Sequence, residues 1–166
     1  EMCIRDRTRF TMEADGSSGA RPDGAGIPNI DSVKSTIRTY YNADATGIAD
    51  RTTSPYVTEM SSILTRQKAQ LKRLYDRSAR SGKTPAIVLD ADDTTLMTYD
   101  MEDNAMHFTF DPALQDVWVQ GQKFPATPGM VSFVAEAQRQ GFAIFGLTGR
   151  NDDQKAATVA NLTKVG

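Results

Sequence analysis

Asp90 and Asp92 stand two residues apart, with Asp93, Thr94 and Thr95 directly around and behind them. Three carboxylates this close repel one another, so folding alone does not select them. A cation and a reacting group would explain them. If the backbone is extended here, side chains two apart face the same way, and both carboxylates converge on one ligand. One can then attack as a nucleophile while the other handles protons. A phosphate monoester is a sensible target, provided its charge is shared with a metal. Mg²⁺ held by one or two carboxylates, phosphate oxygen and water meets that need. Further on, Thr148-Gly149-Arg150 offers a hydroxyl, an uncovered amide and a guanidinium. A helix beginning near Asn151 would aim its positive end the same way, which completes a plausible phosphate cradle.

These residues need a scaffold that brings them together, and the flanking sequence supplies one. Ala86-Ile87-Val88-Leu89, after Pro85, reads as a short strand buried on both faces and ending at Asp90. Phe142 to Leu147 reads as a second such strand, ending at Thr148. Between them, Pro128-Gly129 precedes a helix with Met130, Phe133, Val134 and Ala137 on one face, stopped by Gly141. The order strand, crossover, helix, parallel strand sets Asp90 and Thr148 at one edge of a parallel sheet, where ligands bind. Upstream, Asp31 caps a helix from Ser32, with Val33, Ile37, Tyr40 and Tyr41 at helical spacing. After a loop around Gly47, Ser54-Pro55 starts a long helix to about Arg80. Residues 97–128 carry no regular pattern and are rich in aromatics and acids, and a last helix runs from Asn151 or Asp152 through Leu162.

A length of 166 residues suits one domain, and a net charge of −2 gives no basic surface for nucleic acid. No apolar run reaches the ~18 residues of a membrane span. Cys3 and His107 are the only residues of their types, which favours an oxygen-bound hard cation such as Mg²⁺ over other metals. Residues 1–30 stand apart. Met2-Cys3-Ile4-Arg5-Asp6-Arg7 reads as the translation of a transposon adapter, and the Gly, Ser, Ala, Asp and Pro of residues 11–30 as a flexible leader.

The wording around both acid-bearing and threonine-bearing tips resembles the haloacid dehalogenase (HAD) superfamily, in its acid phosphatase branch called subfamily IIIB. Asp90-Ala91-Asp92-Asp93-Thr94 matches an Asp-x-Asp-x-Thr first motif, and Thr148 a second motif at the end of a later strand. The surrounding residues, Thr95-Leu96 and Leu147 to Gln154, are similar to secreted actinobacterial members over roughly residues 28–166. The resemblance implies an α/β fold, a HAD-like Rossmannoid parallel sheet with N-terminal helices. It implies a magnesium-dependent phosphomonoester hydrolase, secreted or extracellular, acting on a small phosphomonoester, with a nucleotide among the options. By position, Asp90 would be the nucleophile and Asp92 the proton donor and acceptor. Mg²⁺ would be held by the Asp90 carboxylate and the Asp92 main-chain carbonyl, and Thr148, Gly149 and Arg150 would bind the phosphoryl group. The superfamily's third-motif lysine and fourth-motif acids follow the second strand. Lys155 and Lys164 lie on the last helix, too early for that lysine. The expectation is therefore a domain truncated after its second core strand, with 31–166 as its N-terminal part, an exposed sheet edge and impaired activity.

Plainer readings remain beside these. Asp93 reads as a cap, and His107 as a structural histidine. Arg150 can clamp phosphate or pair with a nearby acid. Tyr99, Phe108, Phe110 and Trp118 pack a core or a cap, or else stack on an aromatic leaving group. Alternative functions are a phosphotransferase on the same scaffold, and a non-catalytic phosphate-binding or receiver-like module.

Overall fold

The computed structural model describes residues 28–166. The adapter and leader readings thus fall outside the described residues, apart from positions 28–30. The chain divides between Tyr40 and Tyr41 into two compact units.

The first unit carries α1 (Ile30–Tyr41) as far as Tyr40, and none of the helix's residues is buried. Its cap is Asn29, two positions before the expected Asp31. The Asn29 side chain accepts from the amides of Asp31 at 2.9 Å and Ser32 at 3.2 Å, satisfying two otherwise unpaired donors of the first turn.

The second unit starts with a polar loop and then α2 (Pro55–Arg80). Ser54 caps it by accepting from Val57 N–H, with proline at the first position as expected. β1 (Ala86–Leu89) and β2 (Ala143–Gly146) pair in parallel, with Ala86 opposite Ala143 and Leu89 opposite Gly146. Between them lie a single π-helical turn (Met101–Ala105), α3 (Pro112–Gln120) and α4 (Met130–Arg139). α5 (Lys155–Val165) follows β2 through a short 3₁₀ turn at Asp152–Gln154.

Two expectations are corrected here. Residues 112–120 are helical, with Asp111 accepting from the Ala113 and Leu114 amides and Pro112 at the first position. The strands are also not buried on both faces. Ile87, Leu89 and Ile144 pack with Leu64, Leu71, Met130 and Phe133 of α2 and α4. Val88, Phe145 and Leu147 are 60%, 57% and 70% exposed. Helices cover one face of this two-stranded sheet, and among the described residues no element covers those three side chains.

A second apolar cluster holds the far side of the site. Leu96, Met101, Met106, Val119 and Phe124 form it, with Trp118 and Leu162 packed against it. Its framework is polar at one point. Asn161, fully buried, accepts from Phe124 N–H at 3.1 Å and donates to Phe124 C=O at 2.8 Å. That pair fastens the loop after α3 to α5. Gly141 ends α4 with φ +91°, and a Cβ there would lie 2.9 Å from the Tyr75 ring, so conformation and space both require glycine.

Candidate active site

β1 delivers Asp90 to the edge of the sheet, and pairing fixes its neighbour. Leu147 N–H donates to Leu89 C=O at 2.9 Å. Asp90 is therefore beside Leu147, and Thr148 is one residue further along the same edge. Both are exposed. The sheet brings these two expected residues to one tip.

The chain does not continue extended past Asp90. It turns at Ala91, whose carbonyl accepts from Thr95 N–H at 3.1 Å and Leu96 N–H at 2.8 Å. The Thr95 hydroxyl donates to the Asp90 carbonyl at 2.9 Å. Simple strand alternation therefore does not place Asp90 and Asp92; a closed turn does. That turn is stitched outward, with Met97 N–H on Pro125 C=O at 2.9 Å and Thr127 N–H on Thr95 C=O at 3.0 Å. Its last residues, Leu96 to Asp100, are all buried, so the loop bearing the acids is anchored.

The three carboxylates have separate tasks. Asp90 Oδ1 accepts from Ala91 N–H at 2.6 Å and stays at the surface. Asp93, in the left-handed region at φ +53°, accepts from Thr98 N–H at 3.1 Å and the Thr98 hydroxyl at 2.6 Å. It ties the turn to the next segment, in keeping with the capping reading. Asp92 faces Arg150 across 58 residues of sequence. Arg150 Nη2 donates to Oδ1 at 2.5 Å and Nε to Oδ2 at 3.1 Å.

Arg150 is held as firmly as its partner. Its side chain is 2% exposed. Nη1 donates to Thr158 Oγ1 at 3.0 Å, and the guanidinium lies 4.8 Å from the Phe124 ring centre. Arg150 N–H donates to Thr148 Oγ1 at 3.3 Å, which leaves the threonine hydroxyl hydrogen available to another acceptor. Gly149 has open space where a side chain would be, so its backbone can be approached. Asn151 and Gln154 form a reciprocal cap where the chain enters α5.

Asp92 and Asp93 also line a cavity of about 290 Å³ with Thr98, Glu102, Phe108 and Phe110. Burial, then the nearby Asp93, pushes the Glu102 carboxyl above its ordinary range. Phe110 is 68% exposed at this cavity. The other aromatics are structural: Tyr99 stacks on Tyr41 at 4.0 Å and Trp118 packs on Phe124 at 5.7 Å. His107 Nδ1 is 3.1 Å from the Asp103 carbonyl, which fits the structural reading.

Sequence reasoning did not find Phe124, Thr158 and Asn161 as supports of the site. Only the buried polar character of Thr158 and Asn161 within α5 could have signalled them. No group of three or more acidic, histidine or cysteine side chains gathers as a metal cluster among the described residues.

The family model described as HAD superfamily, subfamily IIIB (acid phosphatase) matches residues 33–166. Among solved structures, the class C acid phosphatase from Bacillus anthracis with tungstate bound is similar at 27% identity and a TM-score of 0.53. The match covers 65% of this chain and 47% of that one. A second structure of the Bacillus anthracis class C acid phosphatase is similar at 28% identity and a TM-score of 0.50, over 63% of this chain and 46% of that one. The chain thus spans somewhat less than half the length of these relatives. No curated protein matches the chain.

Proposed function

We propose that this chain, which belongs to the HAD superfamily, subfamily IIIB (acid phosphatase), carries the nucleophile half of a magnesium-dependent phosphomonoester hydrolase. One observation carries the reading. Asp90 and Thr148 follow the ends of adjacent parallel strands at the same sheet edge, and Asp92 sits in the anchored turn beside them.

The donor set suits Mg²⁺. That ion keeps several waters and takes only one or two carboxylates from a protein. The exposed Asp90 carboxylate and the Asp92 carbonyl would be the protein ligands that this part of the domain supplies. Bound there, Mg²⁺ would offset phosphoryl charge that otherwise repels two carboxylates.

The residues then divide the chemistry. An Asp90 oxygen bonds to phosphorus as the bond to the alcohol oxygen breaks, giving an aspartyl-phosphate. The departing oxygen takes a proton from Asp92, which enters the cycle as the carboxylic acid with its proton on a lone pair that the Arg150 fork does not use. Asp92, now ionised, takes a proton from water as the water oxygen bonds to phosphorus and the Asp90–phosphorus bond breaks. Inorganic phosphate leaves, and both carboxyl groups return to their starting forms. Thr148 donates its hydroxyl to a phosphoryl oxygen, with the Gly149 amide beside it. The cavity lined by Phe108 and Phe110 receives the alcohol portion, and its aromatic wall suits a small ester such as a nucleotide.

Steady-state kinetics on the full-length enzyme tests this. Turnover should require Mg²⁺ and vanish with a chelator, and Asp90→Asn should lower kcat by roughly 10⁴-fold or more. Near-normal turnover by Asp90→Asn would remove Asp90 from the nucleophile's role.

A further inference from the structure

We propose that Arg150 is a positioning residue that acts through Asp92, fixing the direction of that carboxylate, and that it does not bind the phosphoryl group. The inference rests on the function proposed above, since it assigns how the proton-handling group of that reaction is aimed.

Three of the five guanidinium N–H donors of Arg150 have partners, and all three hold it inward. A guanidinium has a rigid fork of donors that matches a carboxylate edge, and here the fork is used in full on Asp92. The remaining Nη1 is committed to Thr158, which is buried at 6% exposure. The flat face rests on Phe124, itself 2% exposed. Phe124 cannot drift, because Asn161 grips both of its main-chain polar groups. The result is a continuous support from α5 through Asn161, Phe124 and Thr158 to Arg150, and from there to Asp92. With a side chain 2% exposed, Arg150 would have to break several contacts to reach a ligand at the surface.

Aiming matters more for a proton carrier than for a charge. Proton transfer needs the carboxyl oxygen within hydrogen-bond reach of the ester oxygen, and small misplacement is costly. Asp92 sits in a turn, and one bidentate contact removes the freedom its side chain would otherwise have. The need for a donated proton grows as the alcohol becomes a poorer leaving group. A role through Asp92 therefore has a signature that phosphate binding lacks.

The test uses the full-length enzyme with Mg²⁺ and two esters, p-nitrophenyl phosphate and a simple alkyl phosphate. Arg150→Met should lower kcat on the alkyl ester by about tenfold more than on the nitrophenyl ester, with KM for each moving less than about twofold. In an Asp92→Asn background, Arg150→Met should cost nothing further, since its effect passes through the group already removed. Thr158→Val deletes one support without changing volume. It should show the same leaving-group pattern at reduced size, and it keeps the test available if Arg150→Met folds poorly. Arg150→Lys keeps the charge but not the fork, so it should recover only a minor part of the lost rate.

Any of these results would overturn the proposal: KM rising equally for both esters, an undiminished loss in the Asp92→Asn background, or full recovery by Arg150→Lys. A lowered melting temperature with no difference between the esters would reduce Arg150 to a strut and refute it equally. If Asp90→Asn keeps its turnover, the proposed function itself fails, and that outcome is separate from all of these.

Discussion

Asn161→Ala should be among the most damaging single substitutions in α5. The side chain is fully buried and makes both its bonds to one residue, Phe124, 37 positions away. Alanine would leave the Phe124 N–H and C=O without partners in an apolar cluster. Each unsatisfied buried group costs about 1–3 kcal/mol, so the pair costs about 2–6 kcal/mol. Total stabilities run only about 5–15 kcal/mol. At about 2–4 °C per kcal/mol, the midpoint should fall by roughly 10 °C. Thermal and urea denaturation followed by Trp118 fluorescence are the assays. Trp118 is the only tryptophan and lies 5.7 Å from the Phe124 ring, so it reports the affected locus. Asn161→Asp supplies the control. It keeps an acceptor for Phe124 N–H but sets a carboxylate against Phe124 C=O. Its folded-state pKa would be raised, so its stability should be highest below the unfolded value of about 3.9 and decline as pH rises through the folded one. A destabilisation of Asn161→Ala within about 0.5 kcal/mol of zero would refute the claim that this bond pair fastens the loop.

Glu102 offers a pH prediction. Burial and then Asp93 raise its folded-state pKa above the ordinary glutamate value of about 4.5, so the folded state holds that proton to higher pH than the unfolded state does. Stability should therefore fall as pH rises from about 4.5 through the folded value. Glu102→Gln should flatten that decline in a series of urea midpoints, and an unchanged slope would contradict it. Leu71→Ala, at a side chain 2% exposed in the cluster of α2 and α4, should cost about 2–5 kcal/mol by the same titration; a loss below about 1 kcal/mol would remove it from the core. Asp92→Asn in the full-length enzyme should slow alkyl phosphate hydrolysis by about 10²-fold or more while leaving binding of inorganic phosphate unchanged. Weakened binding with unaltered turnover at saturation would contradict its assigned part.

What could be read from the sequence follows from how local each signal is. The strand before Asp90, the Ser54-Pro55 helix start, the helix with Met130 and Phe133, and the glycine stop at Gly141 all rest on neighbouring residues, and all stand in the structure. α3 announced itself by the same cap-then-proline signal, Asp111-Pro112, but the aromatic and acidic residues around it hid the helical period. The predicted burial of both strand faces failed for a different reason. An apolar run reports what a full sheet would cover, and here helices cover one face only. The pairing of Arg150 with Asp92 was one of two options open for that arginine. Nothing local to either residue chooses between them, because the choice is made by Phe124, Thr158 and Asn161, which only the fold brings near.

The central claim is that Asp90 becomes esterified to phosphate during turnover. Rapid acid quench of the full-length enzyme with a radiolabelled phosphomonoester, then peptide mapping, measures this directly. The label should sit on Asp90, be released by hydroxylamine as an acyl phosphate, and be absent from Asp90→Asn. Turnover with the label on another residue, or with no labelled protein at any quench time, would contradict the account.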